Sequence, residues 1–271
     1  MLTVTTVNVN GLRAAARKGF LRWLDETAAD VVCLQEVRAE PDQLPAEVRD
    51  PDGWYAHHAP AAAKGRAGVS VYSRGEPAAV RVGFGCPEFD HSGRYLEIDL
   101  EIDLDGPGPG LTVGSLYLPS GDAGTARQDE KYRFMDAFLA HLTALHARAA
   151  DTGAHALVTG DWNIAHTEAD LKNWRANQQS AGFLPEERAW LGKVFTDWTD
   201  VVRALHPDTA GPYTWWSYRG RAFDTDTGWR IDHHAATPAL AAAATAAVVE
   251  RAPSYDLRWS DHAPVTVTYD V

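Results

Sequence analysis

Short β-type runs recur along almost the whole of this 271-residue chain, with few helical stretches between them and no linker dividing them. The runs 2–9, 30–35, 53–58, 67–73, 94–103, 111–118, 155–160, 212–217, 229–235, 246–251 and 264–269 read as strands. Tyr95-Leu96-Glu97-Ile98-Asp99-Leu100-Glu101-Ile102 alternates apolar and polar residues, as a half-buried antiparallel strand should. Asp105-Gly106-Pro107-Gly108-Pro109-Gly110 then predicts a hairpin turn. Helical patterns are fewer. Gly19 to Ala29 is amphipathic, and Arg127 to Ala149 carries Tyr132, Phe134, Met135, Phe138, Leu139 and Leu142 on one face. Pro185-Glu186-Glu187-Arg188 has the proline and acids of a first helical turn. Many strands, few helices and no composition break predict one domain over 1–271, with two packed sheets flanked by helices.

The opening Met1-Leu2-Thr3-Val4 enters a strand at once, with no basic or long apolar leader. The Ala-rich stretch 239–248 is too short and weakly hydrophobic to span a bilayer, so no membrane contact is expected. Cys33 lies inside Val31-Val32-Cys33-Leu34 and reads as a small buried hydrophobe. With Cys86 in a Gly/Pro turn region, no disulfide framework is expected, and a reducing cytoplasm fits. The formal charge of −12 argues against a basic face that coats nucleic acid. Acids that hold a metal would make an active site negative all the same. The expectation is weak binding without metal and a steep dependence on salt.

Polar residues recur where the apolar strands stop. Gly160-Asp161-Trp162-Asn163 follows Ala156-Leu157-Val158-Thr159, and side-chain alternation turns Asp161 and Asn163 toward one site. The first strand ends Asn8-Val9-Asn10-Gly11, the next Leu34-Gln35-Glu36, and a later one Leu116-Tyr117-Leu118-Pro119. Arg230-Ile231-Asp232-His233 follows in a late strand, and Ser260-Asp261-His262-Ala263-Pro264 precedes the last. Each has a plainer account: Asn10-Gly11 is a common turn pair, Glu36 could be solvated, Asp261 could cap a turn. Together they are ingredients for metal-assisted attack of water on a phosphodiester.

That chemistry must neutralise an anion, deprotonate water and stabilise a leaving alkoxide. Glu36 and Asp261 suit Mg²⁺ or Mn²⁺, which take few carboxylates and keep several waters. His262 can hydrogen-bond or protonate a phosphate oxygen, with Asp232 orienting its imidazolium. Asp161 can accept the proton of water, Asn163 can position that water or the phosphate, and Tyr117 can donate to it.

The succession Asn8–Ala14, Leu34-Gln35-Glu36, Tyr117–Gly121, Gly160–His166, Trp229–Asp232 and Ser260–Val265 resembles the exonuclease III family of apurinic/apyrimidinic (AP) endonucleases. The match runs from about residue 3 to residue 269. Ser-Asp-His is shared with the wider endonuclease/exonuclease/phosphatase superfamily. Asp161–His166, continued by Asp170–Asn173 and Ala181-Gly182-Phe183, is more specific to the DNA-repair branch. The resemblance implies a four-layer α/β sandwich with two mostly antiparallel sheets. It implies a principal metal site at Glu36, Asn10 and Asp261, with Asp161, Asn163 and His262 in the wider metal set. Asn8, Tyr117, Asp161, Asn163 and His262, with Asp232 as partner of His262, are the implied catalytic set. Position 10 varies between acid and amide in such proteins, and Asn makes it a weak or water-mediated ligand here.

The resemblance further implies DNA contacts at Asn173 and Asn177, with Trp215, Trp216, Arg219 and Trp229 in or beside an aromatic pocket for a flipped-out abasic sugar. Lys64, Arg66, Lys131 and Arg221 are candidates for gripping phosphates. The implied protein is a monomeric Mg²⁺-dependent DNA-repair phosphodiesterase acting on duplex DNA at abasic sites and 3′ ends. An RNA- or phospholipid-cleaving relative would share Glu36, Asp161, Asn163, Asp261 and His262, but has less use for Asn173, Asn177 and the tryptophans. A non-catalytic lesion or end binder would be expected to lack one of the central residues, and none is missing.

Overall fold

The computed structural model describes residues 1–101 and 110–271. The expected turn through 105–109 and the last residues of the strand 94–103 lie outside the described residues. The strands are β1 (Leu2–Asn8), β2 (Val31–Gln35), β3 (Tyr55–Ala59), β4 (Val69–Ser73), β5 (Ala79–Val82) and β6 (Tyr95–Leu100). They continue with β7 (Leu111–Tyr117), β8 (His155–Asp161), β9 (Thr199–Asp200), β10 (Asp232–Ala236), β11 (Ala244–Val249) and β12 (Val265–Tyr269). One six-stranded sheet has the order β11-β12-β1-β2-β4-β3 and the other β5-β6-β7-β8-β10-β9. Each is antiparallel except for one parallel pair, β1 with β2 and β7 with β8.

Alternation along the strands builds the layers. Leu2, Val4, Val31, Cys33, Leu111, Val113, Leu157, Val265 and Val267 fill the space between the sheets. The opposite faces of β1 and β2, through Val7, Val32 and Leu34, pack against Leu12, Phe20 and Leu24 of the N-terminal helical segment. Ala156 and Val158 of β8 face Phe134, Phe138 and Leu142 of helix Ala126–Thr152, with Trp190 and Leu191 of helix Pro185–Asp197 completing that layer. Two sheets between two helical layers form the four-layer α/β sandwich. The long helix starts where the Thr125 side chain accepts from Arg127 N and ends at Gly153, which takes a φ of +69°.

The structure departs from the sequence expectations at elements that local pattern does not control. The expected strand 212–217 is not a strand; Trp215 makes only isolated bridges to Trp229 and His262. The N-terminal helical segment begins at Leu12, before the expected Gly19, because Leu12, Ala15 and Phe20 already face the core. Gly19, at φ +134°, interrupts it, which is why the helical pattern reads cleanly only beyond that point. The Ala-rich stretch is divided between helix Pro238–Ala242 and β11. Edge strands β5 and β9 were not anticipated: β9 is two residues long and β5 has no fully buried face.

Candidate active site

The space between the sheets changes character along its length. On the inner face of β1, Leu2 and Val4 give way to Thr6 and Asn8. On β2, Val31 and Cys33 give way to Gln35; on β7, Leu111 and Val113 to Ser115 and Tyr117; on β8, Leu157 to Thr159 and Asp161. The two parallel pairs therefore deliver polar side chains from their C-terminal ends to one place. Gln35 joins the sheets just below it, donating from Nε2 to Thr6 Oγ1 and to Ser115 Oγ, each at 3.0 Å. Antiparallel β10 and β12 reach the same end by their starts, so Asp232 pairs with Asp161 and His262 precedes β12. Gly160 allows the closest approach: a Cβ there would lie 2.0 Å from the carbonyl oxygen of Leu116, and its φ is +145°.

One amide links the two halves. Asn8 Nδ2 donates to Glu36 Oε1 at 2.8 Å and to Asp161 Oδ2 at 2.9 Å. Asp161 also accepts from Asn163 N at 2.9 Å and from Asn163 Nδ2 at 3.2 Å. His262 Nδ1 donates to Asp232 at 2.9 Å, and its Nε2 lies 3.8 Å from Asp161 Oδ2. Glu36, Tyr117, Asp161, Asn163, Asp261, His262, Trp215 and Trp229 all line a cleft of about 480 Å³. Asn8 and Asp232 stand behind them, buried.

Burial pushes the Asp161 carboxyl up to about 7, with Asp232 and Glu36 adding to the rise and His262 and the Asn8 hydrogen bond opposing it. For His262, burial works against the charged ring, yet Asp232, Asp161 and Asp261 outweigh it and hold the imidazolium up to about 10. Burial, followed by the charges of Glu36 and Asp161, keeps the Tyr117 phenol far above neutrality. At neutral pH, His262 and Tyr117 are therefore both proton donors, beside an Asp161 carboxyl that titrates in that range.

No group of three or more His, Cys, Asp or Glu side chains arranged to hold a metal occurs among the described residues. A hard cation that keeps several waters asks for less: one or two carboxylates with oxygen partners. Glu36 and Asp261 provide that set. Asn10 Nδ2 and Trp215 Nε1 donate to opposite oxygens of Asp261 at 2.8 and 3.0 Å, and Arg38 pairs with Glu36. Asn10 and Glu36 both take positive φ, +47° and +53°, at the turns that bring them to the cleft. The donor chemistry fits Mg²⁺ or Mn²⁺.

The profile of the endonuclease/exonuclease/phosphatase family matches residues 5–262. This chain belongs to that family. An exodeoxyribonuclease of Bacillus subtilis is 35% identical over 266 residues, covering 97% of this chain and 98% of that protein. An AP endonuclease from Archaeoglobus fulgidus superposes with a TM-score of 0.84 at 26% identity. A 3′–5′ exonuclease from Neisseria meningitidis superposes with a TM-score of 0.86 at 28% identity, and both structures cover 100% of each chain. Within the family this chain falls in the exonuclease III branch of metal-dependent DNA-repair nucleases, and it is a hydrolytic enzyme.

Not every residue singled out in this family member reaches the cleft. Trp215 and Trp229 form its aromatic wall, with ring centroids 6.2 Å apart in a T-shaped arrangement. Trp216 does not: it is 1% exposed, packs on Phe223 and donates Nε1 to Asp226. Adjacent residues of an extended segment face opposite ways, so only one of the pair can line the wall. Arg219 is exposed outside the cleft lining. Asn173 is exposed in a separate depression with Lys172, Trp174 and Arg175, while the Asn177 side chain turns back onto Asn173 O at 2.9 Å.

Lys131, a candidate for the phosphate rim, is buried. It pairs with Glu187 at 2.6 Å and donates to Asn163 O at 2.9 Å and Ser120 O at 3.3 Å, so it holds cleft loops together. Its place on the inner face of the amphipathic helix was the available signal. Lys64, Arg66 and Arg221 are exposed, Arg221 beside Asp224. Sequence reasoning missed Arg38 and Arg127 in the cleft and Ser260, whose Oγ donates to Asn8 O at 2.6 Å. Arg38 lies two residues beyond Glu36, the one spacing that could have suggested it.

No helix among the described residues is long and apolar enough to cross a membrane.

Proposed function

We propose that this protein, acting as a single catalytic domain over 1–271 and as a monomer, is a Mg²⁺-dependent DNA-repair phosphodiesterase. It hydrolyses the phosphodiester 5′ to abasic sites and also trims and cleans 3′ ends of duplex DNA. The observation that carries this reading is the hydrogen-bonded chain from Glu36 through Asn8 to Asp161, facing the Asp232–His262 pair across a cleft walled by Trp215 and Trp229.

Asp161 takes the proton from the attacking water, held in register by Asn8 and Asn163. His262, charged and locked on Asp232, donates through Nε2 to a phosphate oxygen, and the neutral Tyr117 hydroxyl donates beside it; as the water oxygen bonds to phosphorus the P–O3′ bond breaks, and the departing 3′-oxygen takes up a proton from solvent. His262, held on Asp232 through Nδ1 with Nε2 turned toward Asp161, is assigned to donation. Glu36 and Asp261, with Asn10 alongside, hold the cation. A bound Mg²⁺ supplies charge neutralisation and Lewis acidity at the phosphate. An abasic sugar presents an apolar face that fits against Trp215 and Trp229, where a base would need more room. Asn173, Asn177 and Arg219, outside the cleft lining, remain the proposed contacts to the flanking strand.

The test is an end-labelled duplex with one abasic-site analogue, incubated in Mg²⁺ and in EDTA. The expected product is a single Mg²⁺-dependent nick 5′ to the lesion with an extendable 3′-hydroxyl. Stepwise 3′ shortening without that nick would make 3′-end processing the main activity, and binding without cleavage would overturn the enzymatic assignment.

The titration of the site predicts a bell-shaped profile of kcat/KM. Asp161 must be ionised, so rate is lost as pH falls through about 7. A bound divalent cation favours the ionised form and moves this limb lower. His262 must be protonated, so rate is lost as pH rises through about 10. A His262→Gln variant should lose the alkaline limb; if that limb persists unchanged, His262 is not its source.

A further inference from the structure

Besides a long 3.5 Å contact from Ser260 Oγ, two donors of different kinds hold the Asp261 carboxylate. One is the amide of Asn10, from the loop after β1. The other is the indole of Trp215, whose Nε1 donates to Asp261 Oδ2 at 3.0 Å. The same indole ring lies 6.4 Å from the His262 ring and forms the cleft wall with Trp229. Its backbone is pinned on both sides by bridges to Trp229 and His262, and Trp216 N donates to Asp261 O at 3.0 Å. The ring therefore has little freedom to turn its N–H elsewhere.

We propose that Trp215 is a positioning residue for the cation site: its indole N–H orients the Asp261 carboxylate so that the remaining lone pairs of that group face the cleft. The inference rests on Asp261 holding the cation, as in the functional reading above. A carboxylate with a fixed donor on each oxygen presents its remaining lone pairs in one direction, whereas a carboxylate free to rotate must lose that freedom when a cation binds. Outer donors of this type typically change metal affinity by about 10- to 100-fold. Aromatic wall and donor are separable functions of one side chain. Phenylalanine keeps an aromatic ring against Trp229 and lacks the N–H.

The experiment measures Mn²⁺ binding to the DNA-free protein by electron paramagnetic resonance of the unbound ion, for wild type, Trp215→Phe and Asp261→Asn. Thermal melting checks that each variant is folded. Trp215→Phe is expected to weaken Mn²⁺ binding to the DNA-free protein about 10-fold and to raise the Mn²⁺ concentration at half-maximal cleavage by a similar factor. Trp215→Phe binding Mn²⁺ like wild type while Asp261→Asn binds it poorly would overturn the proposal and leave the cation assignment standing. Unaltered Mn²⁺ binding by Asp261→Asn would remove the assignment itself, and the proposal with it. A Mn²⁺ concentration at half-maximal cleavage that is unshifted in Trp215→Phe would also overturn it.

Discussion

Asp161→Asn is expected to lower kcat by about 10²- to 10⁴-fold, a barrier increase of roughly 3–5 kcal/mol, while DNA affinity stays within about threefold. The substitution is nearly isosteric and keeps an oxygen that can accept from Asn163 N, so the loop geometry survives. It removes the proton acceptor. It also places an NH₂ group at the Oδ2 position, where Asn8 Nδ2 and Asn163 Nδ2 both donate, so both of those donors lose their acceptor. Loss of a negative charge beside a phosphate does not weaken the grip. Single-turnover cleavage with pre-bound abasic duplex separates the two quantities, and a variant that cleaves within about tenfold of wild type would remove Asp161 from the role of base.

Arg230→Ala is expected to cost about 3–5 kcal/mol of folding free energy. Arg230 is fully buried; its Nε donates to Asp170 Oδ1 at 2.7 Å and its Nη2 to Asp200 Oδ2 at 2.7 Å. Burial alone would raise both carboxyls, but the guanidinium outweighs it and holds them well below the ordinary carboxylate range. Without Arg230, Asp170 keeps Arg203 and the Thr167 donors while Asp200 keeps His233 and the Arg203 N–H, so each buried carboxylate loses its strongest partner, which is why removing one partner costs more than the network contributes as a whole. Both carboxyls are depressed in the folded protein, so the stability they carry is present above the ordinary carboxylate range and is lost as pH falls below it. The gap between wild type and variant in urea denaturation should be full at pH 7 and shrink at acidic pH. A gap below about 1 kcal/mol at pH 7 would show that the network is replaceable by solvent or repacking. Arg230 lies two residues before Asp232, so the loss should also reduce activity through β10.

Much of the layering was legible because strands alternate with period two and the long helix carries a continuous apolar face. The elements that escaped, β5 and β9, are edge strands held by their neighbours and not by a pattern of their own. The segment 212–217 looked like a strand because Tyr213, Trp215 and Trp216 favour one. In the folded chain Trp216 turns into a small core with Phe223 and leaves only Trp215 on the cleft.

The site residues could be picked out as polar breaks at the ends of apolar runs, because a side chain that interrupts a buried face must be satisfied or useful. That local rule determined the strand ends, their chemistry and the sandwich that could bring them together. It could not say which donor meets which acceptor. Asn8 bridging Glu36 to Asp161, Trp215 holding Asp261 and Lys131 turning inward to Glu187 are long-range pairings. Only the packing of one sheet on the other decides them, since hydrogen bonds depend on distances of a few tenths of an ångström between residues far apart in the chain.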